Sequence, residues 1–527
     1  MKKELLTWAL AALTAGSAAA QEPLALGRGR IENVTDYSQP VISRHHRIGT
    51  RATAPLPCTG SPKVPVILVQ FNDLTFTTAG DTDAAIRENY QKFCNGTGIP
   101  GQPYRPSGGS YGSVSDYFIA QSDSLFQPEF AVIGPVTLPE SYAFYGKDEY
   151  NSQGVSIRKD VNISKMYSDA CKLAVNNFQV NWSDFDNNND GKVDFVFFIY
   201  AGIGQNDLQN DDDNTIWPKE LTSTLTVPSD NGNIVFGACG CACEAYNGAQ
   251  DGIGTMCHEL SHGLGLPDLY DTQGDGYGMD YWDVMDSGCY QLAGMQPCEY
   301  SAYERDFMGW RPLQKVTKDE AVTLKLEPIE QGGYGYVVTN DGQESGNEYF
   351  ILENRQNYGF DLALGCRSVN IYKVFHASHG LLITHVDYLQ SDWTSNTINV
   401  SHTHPRFTIV PADGTLLSSY NGINQEYMES FQGDIYPGTQ NVTEISSYEV
   451  YKGTFTQKIN NINETVGGVV SVDINGGSAD AIESLTTAEA STPVAYYTPA
   501  GQRIAQPQKG INIVRDGANR VKKIWKR

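Results

Sequence analysis

The chain has 527 residues, 40% hydrophobic and 11% aromatic, which excludes a disordered polymer and leaves room for about three folded units. Its formal charge of -24 argues against a nucleic-acid partner, because neutralising phosphates needs a basic face. The same acidity suits an extracellular protein whose clustered carboxylates hold calcium.

In chain order, MKKELLTWALAALTAGSAAAQEP joins Lys2 and Lys3 to an apolar run and an A-x-A pattern at Ala18 to Ala20. That predicts a signal peptide over 1–20, with export to the medium or the cell surface. The run is too short to span a bilayer, and no later segment is apolar for long enough. Residues 21–60 read as a polar propeptide or leader. KVPVILVQFNDLTF (63–76) and KVDFVFFIYAG (192–202) read as buried strands. Residues 112–136 read as a short helix and a strand, and 155–180 carry helical spacing at Ile163, Met166, Ala170, Leu173 and Ala174. This alternation predicts an α/β domain over 61–315. From 316 to 476, short strands between turn signals predict an all-β sandwich or jelly roll. A linker over 477–490 then leads to a basic, strand-rich module or sorting tail at 491–527.

Ten cysteines in an exported chain predict disulfides. CGCAC (239–243) lacks the C-x-x-C spacing of a structural zinc site, so bridges to Cys257, Cys289 or Cys298 are expected instead. Cys257 would then anchor its helix. Cys58 is expected to form a disulfide, the alternative being a propeptide thiolate that caps a metal.

The densest chemistry lies in CHELSHGLGLPDLYD (257–271). His258 and His262, four apart, share one helix face and can bind one zinc ion. Glu259 beside them is placed as general base and acid for hydrolysis by a metal-activated water. Gly265 supplies the turn that returns Asp268 as third ligand, completing H-E-x-x-H-x-x-G-x-x-D. Three protein ligands leave a coordination position open for catalysis, whereas a structural zinc is closed. Met285, in YWDVMDSG, is expected in a tight turn beneath the metal. The rival third ligand is a glutamate on a later helix, Glu299 or Glu304; the Gly265–Asp268 spacing and the Met285 turn argue against it.

DFDNNNDGKVD (184–194) resembles a calcium loop, with Asp186, Asn188, Asp190 and Asp194 as ligands around a turn at Gly191. It departs from the usual pattern in having Phe197 where the bidentate glutamate belongs. The alternative is an acidic turn without metal. NDLQNDDDN (206–214) reads as a solvated acidic loop. His376, His379, His385, His402 and His404 are expected at separate positions rather than in a second metal site.

With these residues in view, the chain resembles the immune inhibitor A family of secreted metalloproteases. The resemblance runs through VPVILVQFND, GSVSDYFIAQS, DNNNDGKVDFVFFIYAG, IGTMCHELSHGLGLPDLYD, WDVMDSG, YSAYERDFMGW, EYFILENRQNYGFD and GLLITHVD, over roughly 60–475. It implies a metzincin-like catalytic domain with zinc on His258, His262 and Asp268, Glu259 as catalytic glutamate, and protein or peptide substrates. The aspartate in place of a third histidine fits that family. No tyrosine stands two residues after Met285, where Ser287 is found; Tyr290 and Tyr300 are then the candidates for oxyanion stabilisation. The competing function is an adhesin built on a degenerate peptidase scaffold.

Overall fold

Strand β1 (Lys63–Gln70) is apolar on both faces because it runs through the middle of a sheet covered on each side. The computed structural model describes residues 54–96, residues 110–477 apart from short internal stretches (the longest being 340–346 and 365–378), and most of 493–526. The stretch expected to be a signal peptide (1–20), most of the expected leader and nearly all of the expected linker lie outside the described residues.

After β1 come α1 (Asp83–Asn95), α2 (Val114–Gln121), β2 (Glu129–Thr137), α3 (Ile163–Asn177), β3 (Val193–Ile203), β4 (Lys219–Leu221), β5 (Gly232–Tyr246) and α4 (Gly254–Gly263). The central path of a seven-stranded sheet runs β2-β1-β3-β5-β4, with β2, β1, β3 and β5 parallel and β4 antiparallel; two short strands, Leu225–Ser229 and Ala249–Gln250, also pair antiparallel with β5. Period-two alternation divides its side chains between two cores. Val64, Val66, Leu68, Phe195, Phe197 and Ile199 face α1, α2 and α4. Ile67, Val69, Val196, Phe198 and Tyr200 face α3, through its Met166, Tyr167 and Ala170. The expected α/β arrangement is therefore a three-layer stack.

The same alternation explains CGCAC. Cys239, Cys241 and Cys243 lie on the α3 face, while Ala238 and Ala242 lie on the face that carries α4. The small residues allow the site helix to approach, and the thiols fill a hydrophobic core as small apolar groups. The expected disulfides are corrected here: no disulfide joins any two of the nine described cysteines, and Cys257 is a buried thiol within the core beneath α4.

The chain continues through α5 (Ala302–Phe307), β6 (Gln314–Val316), β7 (Val322–Leu326), β8 (Tyr336–Thr339), β9 (Glu348–Arg355), β10 (Gly380–Asp387), β11 (Phe407–Ile409), α6 (Gln425–Gly433), β12 (Ile459–Glu464) and β13 (Val470–Ile474). Strands β6-β8-β9-β10-β11 form one sheet, and β7-β13-β12 form an antiparallel second. Phe350, Leu352, Leu381 and Ile383 share an apolar cluster with Leu324, Leu326, Val470 and Val472 of that second sheet. Tyr349, Ile351, Leu382 and Val386, on the opposite face, join the core that also holds Met256 and Leu260 of α4. The β-rich region thus packs on the α/β layers, and the chain up to Gly476 forms one compact unit. Residues 477–527 form a second unit, with a four-stranded antiparallel sheet of Arg503–Ile504, Pro493–Tyr497, Gly510–Asp516 and Val521–Lys526.

Candidate metal centre

Helix α4 is buried along its whole length. It starts at Gly254, where a Cβ would come 1.8 Å from the carbonyl oxygen of Cys289, so only glycine admits that approach. It ends in a double hydrogen bond: Leu266 N–H donates to Ser261 O at 3.1 Å, and Gly265 N–H to His262 O at 2.8 Å. That pattern needs a left-handed residue just past the helix, and Gly265 has φ +98°. The reversal turns Leu266 O onto the Nδ1 of His262, 2.8 Å away. His258 Nδ1 is likewise 2.8 Å from Val284 O, in the turn before Met285. A carbonyl only accepts, so both Nδ1 atoms carry hydrogen and both Nε2 atoms present lone pairs.

Those lone pairs converge with Asp268. Its Oδ1 lies 3.2 Å from His258 Nε2 and 3.3 Å from His262 Nε2. All three atoms are buried and none has a hydrogen-bond partner. Buried polar atoms left so are costly unless something else meets them. Ligands on a tetrahedral zinc with bonds of about 2.1 Å would sit about 3.4 Å apart, so this donor set fits the ion. The His258, His262 and Asp268 side chains also form a three-residue group with metal-ligand atoms in mutual reach. Burial opposes the charge on Asp268, but wherever the His262 and His258 rings are protonated their charge outweighs it and holds the carboxyl at about 2. For Glu259, burial outweighs the opposing pull of His258 and Lys219. Its Oε2 is unpartnered, and burial pushes its carboxyl up to about 8.

The turn at Met285 is built by Asp283, whose carbonyl accepts from Asp286 and Gly288, and whose Oδ1 accepts from Met285 N–H at 2.8 Å. Met285 is fully buried, and its carbonyl receives Leu269 N–H at 2.9 Å, tying the ligand loop to this turn.

The glutamates weighed as third ligand have structural partners instead. Glu299 pairs with Arg305 at 2.8 Å, and Glu304 forms a capping box with Ser301 at the start of α5. Tyr300 places its hydroxyl on Ser261, and Tyr290 stacks against Tyr246. Cys58 donates its thiol to Met308 O and lies outside the ligand group. Of the five later histidines, four are described, and each meets a different carboxylate: His379 with Glu464, His385 with Glu348, His402 with Asp271, and His404 with Asp387.

The acidic turn brings Asp186, Asp190 and Asp194 together. Asn188, however, gives its amide nitrogen to Asp194 Oδ1, and its own oxygen accepts from Asp190 N–H. Lys192 Nζ sits 3.2 Å from Asp190 Oδ2. The carboxylates are therefore met by amides and an ammonium, as in a self-contained turn, and calcium has no support beyond the clustering. Of the loop 206–214, only Asn206, Asp212 and Asn214 are described.

Sequence reasoning missed Asn396, in the β-rich region. Its Oδ1 accepts from Asp268 N–H at 2.8 Å and its Nδ2 donates to Asp268 Oδ2 at 2.7 Å. Asp271, given no role from sequence, is buried, accepts from Gln273 and Gly276 within the same loop, and pairs with His402 of the later β-rich region.

Residues 57–312 match the family described as the immune inhibitor A peptidase M6, catalytic domain. The chain is 26% identical over 277 residues to immune inhibitor A of Bacillus thuringiensis subsp. alesti, covering 46% of this chain and 39% of that protein. It is 26% identical over 232 residues to pre-pro-metalloprotease PrtV of Vibrio cholerae serotype O1 strain M66-2, covering 38% of this chain and 24% of that one. The chain thus matches well under half the length of these relatives. The stretch that matches this peptidase family model contains α4, the ligand loop and the Met285 turn.

Proposed function

We propose that this protein is an exported zinc-dependent endopeptidase that hydrolyses peptide bonds in proteins. The observation that carries the reading is the convergence of three unpartnered ligand atoms, from His258, His262 and Asp268, beside an unpartnered carboxylate on Glu259. A zinc ion held by those three residues supplies Lewis acidity, which acidifies water and polarises a carbonyl. Glu259 takes the proton of the attacking water and passes it to the departing amine. Burial, which raises the Glu259 carboxyl, strengthens it as a proton acceptor. Val284 O and Leu266 O hold the imidazoles in the neutral tautomer that ligation requires. Met285 and the core beneath it keep the floor of the centre dry. Export rests on the signal-peptide pattern read at 1–20; among the described residues, no helix is long and apolar enough to cross a membrane.

The test compares wild type with Glu259→Gln on a peptide library, with metal content measured on both. Wild type should bind one zinc ion and cleave internal bonds. Glu259→Gln should keep the zinc and lose at least about a thousandfold in kcat/KM. A zinc-loaded wild type that cleaves no peptide would sink the peptidase reading in favour of a binding scaffold, and a fully active Glu259→Gln would remove Glu259 from its role.

A further inference from the structure

We infer that Asn396 is a positioning residue of the metal centre: it fixes which carboxylate oxygen of Asp268 faces the histidines, and it does so from outside the matched catalytic domain. The inference rests on the reading that His258, His262 and Asp268 bind a metal ion.

The argument begins with the pairing itself. One side-chain amide meets one residue twice, accepting from the backbone N–H of Asp268 and donating to its Oδ2. The backbone N–H only donates, so the amide oxygen must face it and the amide nitrogen must face the carboxylate. With Oδ2 engaged, Asp268 presents Oδ1 alone to the two Nε2 atoms. A single oxygen in that place keeps the ligand count at three, which leaves room for reactants on the ion. Both residues are buried, so water does not compete for these bonds.

The segment that delivers Asn396 is built for the task. Asn396 has φ +54°, a left-handed conformation that asparagine tolerates better than other side-chain-bearing residues. Upstream, Trp393 Nε1 donates to Tyr303 OH of α5 at 2.7 Å. Asparagine and histidine side chains at 396, 399 and 402 then meet successive points of the ligand loop. Asn399 Nδ2 donates to Leu269 O at 2.9 Å, His402 pairs with Asp271, and Thr272 Oγ1 donates to Asn396 O at 2.8 Å. Only the bonds of Asn396 reach the ligand carboxylate. Residue 396 lies beyond the stretch 57–312, so that stretch alone lacks the partner of its third ligand.

The experiment uses the full chain loaded with cobalt(II) or zinc. In Asn396→Gly, which suits the backbone and removes the amide, zinc affinity by chelator competition should fall about 10- to 100-fold. The visible cobalt spectrum should weaken as the released carboxylate binds through both oxygens and raises the coordination number. Asn399→Ala loosens the same loop without touching Asp268 and should keep the wild-type cobalt spectrum. Asn396→Asp, isosteric but lacking the donor, should alter the spectrum as the glycine variant does, and it decides the matter if Asn396→Gly fails to fold. An unchanged spectrum and affinity in a folded Asn396 variant would overturn the inference, as would equal changes in Asn399→Ala. A wild type that takes up neither metal would instead overturn the metal-site reading, and this inference with it.

Discussion

Two main-chain carbonyls, those of Val284 and Leu266, set how the histidines present themselves, and the second depends on one glycine. At Gly265, φ +98° is a conformation in which a Cβ meets the following carbonyl. Gly265→Ala should therefore cost about 1–2 kcal/mol of stability. Because the same turn aims Leu266 O at His262, it should also speed zinc loss to a chelator. Unfolding melts and chelator-release kinetics measure the two effects; a variant with unchanged zinc release would separate the turn from the ligand. Glu304 offers a second residue-level test. Its carboxyl sits beside that of Asp283, and burial together with that neighbour raises Glu304 well above the usual range; burial likewise raises Asp283 to about 6. A folded-state pKa above the unfolded one means the native state holds more protons as pH climbs out of the acid range. Stability then falls as pH rises from about 4 through the raised value. Glu304→Gln keeps an oxygen for the Ser301 cap and removes one of the two charges. Its melting temperature should decline less steeply over pH 5–8 than that of wild type, and parallel profiles would refute this role of the Glu304 charge.

At the scale of elements, β5 and α4 were the most and least misleading parts of the sequence. The spacing of His258, His262, Gly265 and Asp268 was fully legible, because helix period and glycine conformation are local physics, and the structure gathers those residues as expected. The cysteines were misread because composition and compartment say nothing about which face of a strand a thiol occupies. Once Cys239, Cys241 and Cys243 are seen on the buried α3 face, alternating with alanines under α4, packing accounts for them without oxidation. Reducing agent should accordingly leave the melting temperature of the purified protein within about 1 °C, whereas loss of a structural disulfide costs about 2–5 kcal/mol. Asn396 was illegible for a different reason: 128 residues separate it from Asp268, and only the fold brings them together.

For the molecule as a whole, the core beneath α4 extends through Trp282, Phe431, Tyr303 and Phe407, so it draws on residues far past the matched catalytic domain. A fragment ending at 315 would expose that surface and leave Asp268 without Asn396. It should show an unfolded or loosely packed spectrum and retain no zinc, whereas a chain ending at Gly476, the limit of the compact unit, should melt like the full protein. A well-folded, zinc-binding fragment would contradict this. The sequence was read as changing to an all-β domain near 316, but the chain through Gly476 forms one unit, and strand patterning does not reveal what the second face of a sheet rests on. Here that face belongs to the core of the site.

The three thiols of β5 have one more consequence. Sealed in the α3 core, they are out of reach of alkylating reagents while the sheet is intact. The rate at which they become labelled therefore counts openings of the central sheet under native conditions, so the chain carries its own clock for rare global unfolding, set apart from the chemistry on the opposite face.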